Sequence, residues 1–251
     1  MSVDTICLFV THLIEVGSSA NSIASILSAI SYFHKLKLSS DPTQAFPVKQ
    51  LILAAQKTSK PMEKRLPIDL PLLNQLISSA QNTTNAFEGT LLSAMLSVAF
   101  CLGLCLSEYT LSCHNLQFSQ ITLTENQLKI RFLSYKHSSP HQPPHVVDAL
   151  KKPFCPVLLL RNYIKVRGTA EGPLFLLGGE AVSGRWFNFH LKQHILNIGL
   201  DPKAFSSHSL RIGAANSWAD KNLSELKIKQ LGRWKANALP HYLRSAINHS
   251  F

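Results

Sequence analysis

Between Glu88 and Glu108 the chain runs for 19 residues, GTLLSAMLSVAFCLGLCLS, without a charged side chain. A stretch of that kind has two stable homes. One is the hydrocarbon core of a bilayer, which takes about 20 apolar residues. The other is the interior of a protein large enough to cover a helix on every side. Ser, Thr and Gly recur within the run, no aromatic belt or basic stop flanks it, and nothing else in the chain resembles it. We therefore expect a core helix over Glu88–Ser107. Such a helix needs a core around it. A chain of 251 residues, 45% hydrophobic and only 16% charged, can supply one large core or two modest ones.

The flanking sequence suggests how that core is built. Ile6–Val16 and Ser22–Leu36 carry apolar residues at three- and four-residue spacing, separated by GSSAN, and a third short helix is expected over Val48–Ala55. QKTSKPMEKRLPID is polar, basic and proline-bearing, which makes it the best linker in the chain. Beyond it, DLPLLNQLISSAQ, PVLLLRNYIKVRG and RWFNFHLKQHILNIG read as helices. FSQITLTENQLKIRFLSYK alternates and reads as two or three strands that turn at Glu125–Asn126. SSPHQPPH and LLGGEAVSG read as loops. The fold class is mainly α with a small antiparallel β-sheet (α+β). The boundaries expected are 1–57 for a helical domain, 58–68 for the linker and 69–251 for a second domain.

Net charge is +11, and its placement is uneven: residues 151–251 carry 15 basic and 5 acidic groups, hence ten of the eleven net charges. A basic surface concentrated on one part of a fold is the footprint expected for a polyanion such as double-stranded DNA. The five cysteines form no CxxC pair, and the first residues, MSVDTICLFVTHLIEVG, lack the basic start of a signal peptide. These features point to a reducing compartment, nuclear or otherwise intracellular. HLKQH sets His190 and His194 four apart, but with no Glu between them and no third ligand it reads as a helix face. No metal or cofactor is expected.

The chemistry concentrates in HSLRIGAANSWADKNLSELKIKQLGRWKANALPHYLRS, His208 to Ser245. His208 and Arg211, three apart, project from one side of a helix. One is a potential base or donor; the other is a permanent cation that grips phosphate with two N–H groups. LSELKIKQLGRW reads as an amphipathic helix with Leu226 and Leu231 inward and Gly232 at its end. Trp234 adds an indole donor. Tyr242 follows Pro240. A phenol with a pKa near ~10 is a poor nucleophile alone. Among cations and donors that hold a phosphodiester, it becomes able to attack phosphorus.

This stretch resembles the C-terminal signature of the tyrosine recombinases, or phage-type integrases. Its LGRW and YLRS elements are most similar to the recombinases of crypton-like and related eukaryotic mobile elements. The resemblance implies a SAM-like core-binding domain over 1–57, N-terminally truncated relative to the family, and a catalytic domain over 69–251. It also implies DNA recombination and integration, with self-association on double-stranded DNA. Carried over residue by residue, it makes Tyr242 the nucleophile that forms a 3′-phosphotyrosyl link. His208 assists proton transfer, Arg211 holds the scissile phosphate, and Trp234 donates a hydrogen bond to it. Lys136 protonates the leaving 5′-oxygen, with Lys129 nearby as the alternative.

GLCLSEYTLS matches the family's first signature at Gly103, Ser107, Glu108 and Leu111, with Glu108 in a supporting role. Where the first catalytic arginine belongs, the chain has Cys105. A thiol offers neither a permanent charge nor a bidentate contact. Loss of one such donor slows reactions by about 10²–10³, and loss of a phosphate-holding arginine by about 10³–10⁵. Two functions compete: a recombinase impaired at Cys105, and a catalytically dead or domesticated DNA-binding module on the same fold. A third expectation concerns packing. Cys101 and Cys105 should share one helix face, and the backbone should present position 105 toward the scissile phosphate, the alternative being a pocket closed around a small buried thiol.

Overall fold

The structure is a computed structural model that describes residues 1–58, 65–133, 144–150, 153–234, 239, 242 and 243. The chain divides into two compact units, Met1–Glu63 and Lys64–Phe251.

The first unit is built from α1 (Val3–Glu15), α2 (Ala20–Leu36) and α3 (Phe46–Thr58). Ser2 and Ser19 cap the first two, their hydroxyls accepting from the backbone N–H of Thr5 and Ser22. These caps start each helix before its apolar periodicity does, because the side-chain oxygen satisfies a first-turn N–H that would otherwise lack a partner. Ile6 and Val10, Ile23 and Leu27, and Val48 and Ala55 bury the inward faces.

The second unit opens with a strap. Ile68 is fully buried and its N–H donates to the Ser209 carbonyl at 3.0 Å, while the Leu66 N–H donates to that of Ala204 at 2.8 Å. Residues 66–68, expected in the linker, are thus docked. α4 (Leu70–Gln81) and α5 (Ala86–Cys101) follow, capped by Asp69 and Asn85. Every residue from Leu91 to Phe100 is buried, so the uncharged run is the core helix, covered by α4, α7 (Pro156–Arg167) and α9 (Ser207–Asp220). Among the described residues, no helix is long and apolar enough to cross a membrane.

The core helix ends earlier than expected, at Cys101 rather than Ser107. Gly103 takes φ +53°, a left-handed conformation open mainly to glycine, and the Leu104 N–H turns back to the Ala99 carbonyl at 2.8 Å. Cys105 then caps a four-residue helix, α6 (Leu106–Tyr109). Cys101 and Cys105 therefore do not share a helix face.

A three-stranded antiparallel sheet comprises β1 (Ile121–Leu123), β2 (Gln127–Ile130) and β3 (His145–Asp148), with Leu123 opposite Leu128 and Ile130 opposite His145. The third strand lies beyond the alternating stretch and begins on the last residue of SSPHQPPH; residues 138–143 of that segment are outside the described residues. LLGGEAVSG is a hairpin rather than a plain loop. Leu176–Leu177 (β4) pairs with Glu180–Ala181 (β5) across Gly178 and Gly179, both at positive φ. α8 (Gly184–Asn197) leads to α9 and then α10 (Glu225–Gly232). On α10 it is Ile228 that is buried, whereas Leu226, expected inward, is exposed.

The strap meets α9 at Gly213, where an added Cβ would sit 1.7 Å from the Ile68 carbonyl oxygen. Gly213→Ala should therefore destabilise the second unit by about 3 kcal/mol. A lowered urea midpoint followed by tryptophan fluorescence checks this; an unchanged midpoint contradicts the packing described.

Candidate functional site

The site is organised around the turn that ends α5. The Gly103 carbonyl accepts from two guanidinium groups: Nη1 of Arg211, on α9, and Nη2 of Arg233, just after α10. Arg211 is 5% exposed, and its Nη2 donates to the Gly232 carbonyl at 2.5 Å. Arg211 thus joins the end of α5 to the end of α10.

Arg233 was not singled out in the sequence, yet it is the most fully engaged cation of the site. Its Nε and Nη2 donate to the two carboxylate oxygens of Glu108 at 3.0 and 2.9 Å. Its Nη1 donates to the carbonyls of Leu102 at 3.2 Å and Leu231 at 3.1 Å, and its Nη2 to that of Gly103 at 3.3 Å. All five N–H groups are used, and the ion-paired side chains are 2% and 5% exposed. The guanidinium also lies 4.3 Å from the Phe132 ring centre. Glu108 turns its Oε2 to the Cys105 N–H as well, at 2.6 Å, which fixes the start of α6. One signal could have revealed the pair: a lone carboxylate closing a long uncharged run needs a buried cation.

Arg233 adopts φ 54°, ψ 40°, and this left-handed step folds the chain back so that the Trp234 N–H reaches the Lys229 carbonyl at 3.0 Å. The indole then lies over Gly232, where an added Cβ would meet ring carbon at 2.1 Å. Trp234 stacks against Arg211, the guanidinium carbon lying 4.6 Å from its ring centre. The Tyr242 ring sits 4.6 Å from that of Trp234, 5.1 Å from that of His208 and 5.7 Å from the Arg211 guanidinium carbon. The structure therefore brings His208, Arg211, Trp234 and Tyr242 into one cluster. Two donors inside it, Arg211 Nε and Trp234 Nε1, are buried without a hydrogen-bond partner.

Cys105 lies two residues beyond the Gly103 carbonyl and is exposed, so the alternative of a pocket closed around a buried thiol does not hold. The Arg233–Glu108 pair stands behind it. Lys136 is outside the described residues; Lys129 lies on β2, exposed, opposite Thr122 and Val146. His190 stacks on Trp186 at 4.1 Å and His194 shares a hydrogen bond with Ser79 at 2.8 Å. Among the described residues, no cluster of ligand-type side chains could hold a metal ion.

Burial pushes the His145 imidazole down to about 4, with Arg233 adding to the effect, Glu108 opposing it and Lys227 lowering it further. His145 stands edge-on to Phe132 at 5.1 Å, on the strand facing the ion pair. Two predictions follow from these buried charges. Glu108→Gln leaves Arg233 buried without its counter-charge and should cost about 3–5 kcal/mol in urea unfolding. The second concerns pH. The folded pKa of His145 lies below the ordinary 6.5, so its contribution is fully present above pH 6.5 and is lost as pH falls toward about 4. Stability should drop across that window more in the parent protein than in His145→Gln, as urea midpoints at pH 7 and 5 would show.

No protein-family model matches the sequence, and no curated protein sequence matches it. Solved structures do. A fragment of the Tn1549 transposon integrase, in complex with circular intermediate DNA, superposes with a TM-score of 0.63 at 11% identity, covering 98% of this chain and 82% of that one. A lambda integrase dimer bound to a COC′ core site gives 0.59 at 16% identity, over 96% of this chain and 64% of that one. The XerA recombinase gives 0.55 at 16% identity, over 97% and 94%. With its mostly helical units and small antiparallel sheet, the chain has the tyrosine-recombinase fold.

Proposed function

We propose that this chain binds double-stranded DNA as a tyrosine recombinase does, with strand cleavage through Tyr242 attenuated at Cys105. The observation that carries the reading is the single cluster of His208, Arg211, Trp234 and Tyr242, with two buried donors unpaired beside the tyrosine ring. Donors of that kind fit a phosphate oxygen, once the Tyr242 ring moves aside to admit it. In this reading the first unit is the core-binding domain and the second the catalytic one. The protein acts inside the cell, in the nucleus or elsewhere, self-associates on DNA and is allied to the recombinases of crypton-like mobile elements.

The chemistry balances without a metal. The Tyr242 oxygen attacks phosphorus and gives its proton to His208. The new bond is a 3′-phosphotyrosyl link, and the bond to the 5′-oxygen breaks, that oxygen taking a proton from Lys136. Phosphodiester energy is kept in the link, so the reverse attack rejoins a strand. Tyr109 and Tyr163 are poor substitutes, at 2% and 0% exposure, and burial raises both phenol pKa values.

A second reading, a non-cleaving DNA-binding module, is favoured by one specific observation. Both terminal nitrogens of Arg211 already donate to main-chain carbonyls, and every donor of Arg233 is used, so neither replaces the arginine missing at 105.

Titration of labelled duplex should give an affinity that falls steeply with salt, by about 0.9 in log–log slope for each phosphate neutralised; a flat response contradicts DNA binding. With a nicked suicide duplex, Tyr242→Phe should keep binding and lose all covalent adducts. Because position 105 is exposed, Cys105→Arg should leave thermal stability unchanged and raise adduct formation by about a hundredfold. Binding without adducts in both the parent and Cys105→Arg would establish the module reading.

A further inference from the structure

The first unit contains a groove between α2, the turn at Pro42–Gln44 and α3, with a volume of about 470 Å³. Its floor is apolar, from Leu27 and Ile52, and its walls carry Tyr32, Lys35, Gln44 and Lys49. We propose that this groove binds one nucleotide, its base stacked on Tyr32 and its phosphate held between Lys35 and Lys49, supplied either free or as an unpaired residue of a strand. The inference goes beyond the reading above and does not depend on Tyr242.

The groove is firmly built. Both oxygens of Asp41 are taken beneath it: Ser31 donates to Oδ2 at 2.5 Å, while the hydroxyl and backbone N–H of Thr43 donate to Oδ1 at 2.7 and 3.0 Å. Those hydrogen bonds hold the Asp41 carboxyl down at about 2, so the α2 wall and the turn stay tied at any physiological pH. The carboxylate is thus consumed structurally, and the groove's outward charge comes from two lysines on different helices.

Tyr32 is 60% exposed although Ile23, Leu27 and Val48 already complete the core around it. The neighbouring Phe33, also exposed, stands edge-on to it at 6.5 Å, so the Tyr32 ring is not spent on packing. An accessible ring beside cations and a carboxamide offers the three contacts a nucleotide uses: a stacking surface, charge for phosphate and an adjacent donor and acceptor for a base edge. Duplex DNA presents no free base face to such a ring, which selects an unpaired nucleotide.

The test uses the full chain and a single-stranded oligodeoxynucleotide containing 2-aminopurine, whose fluorescence falls on stacking. Binding should quench it. Tyr32→Ala should weaken that binding at least tenfold, Tyr32→Phe should retain it, and Lys35→Glu with Lys49→Glu should weaken it tenfold or more. All these sites are exposed, and unchanged melting curves confirm the fold. Competition by AMP at concentrations similar to the oligonucleotide identifies a free nucleotide as the source; competition by the strand alone identifies an unpaired residue. Quenching that survives Tyr32→Ala, the same Tyr32 dependence for intact duplex, or equal competition by polyglutamate overturns the proposal. Duplex affinity retained in Tyr32→Ala keeps the recombinase reading separate from this result.

Discussion

One carbonyl oxygen organises the second unit. Gly103 presents it at the break after the core helix, where Arg211 and Arg233 both donate to it. Two like charges converge there because each is discharged elsewhere: Arg233 by Glu108, Arg211 by the stacked ring of Trp234 and the Gly232 carbonyl. Buried guanidiniums are stable only when their N–H groups are satisfied. The turn, the end of α10 and the start of α6 are therefore fixed together or not at all. The Tyr242 ring packs on two residues that this arrangement fixes, Arg211 and Trp234.

The same arrangement shows how the turn before position 105 is fixed. The groups that define the turn are the carbonyls of residues 102 and 103, the Cys105 N–H and the Glu108 carboxylate. Three of the four are main-chain atoms, and the Cys105 side chain takes part only in the capping box with Glu108 at the start of α6. The carbonyls and the ion pair that frame the turn therefore do not depend on the size or charge of that side chain.

Much of this was legible in the sequence, and the failures have physical causes. The helices of the first unit show in their three- and four-residue spacing because each has one wet face. The C-terminal cluster was legible because its four residues lie close in sequence, on one helix and the turns that follow. The end of the core helix was not, since a helix buried on all sides carries no polar stripe to lose where it stops. Leu226 was misplaced because a short helix of mixed pattern admits two registers, and Ile228 wins the core. The Arg233–Glu108 pair joins positions far apart in the chain; the lone carboxylate after the uncharged run signals a buried cation but not which one.

The burial of α5 has a consequence for synthesis. Of the helices that cover it, only α4 is made before it; α7 begins at Pro156 and α9 at Ser207. While the ribosome works through the intervening sheet, a helix with no hydrophilic side stands half uncovered. The second unit thus passes through a stage in which its greasiest segment lacks most of its cover, and collapse around it waits on sequence not yet made. The order of its elements leaves its most apolar helix short of cover during translation, a need that the finished surface conceals.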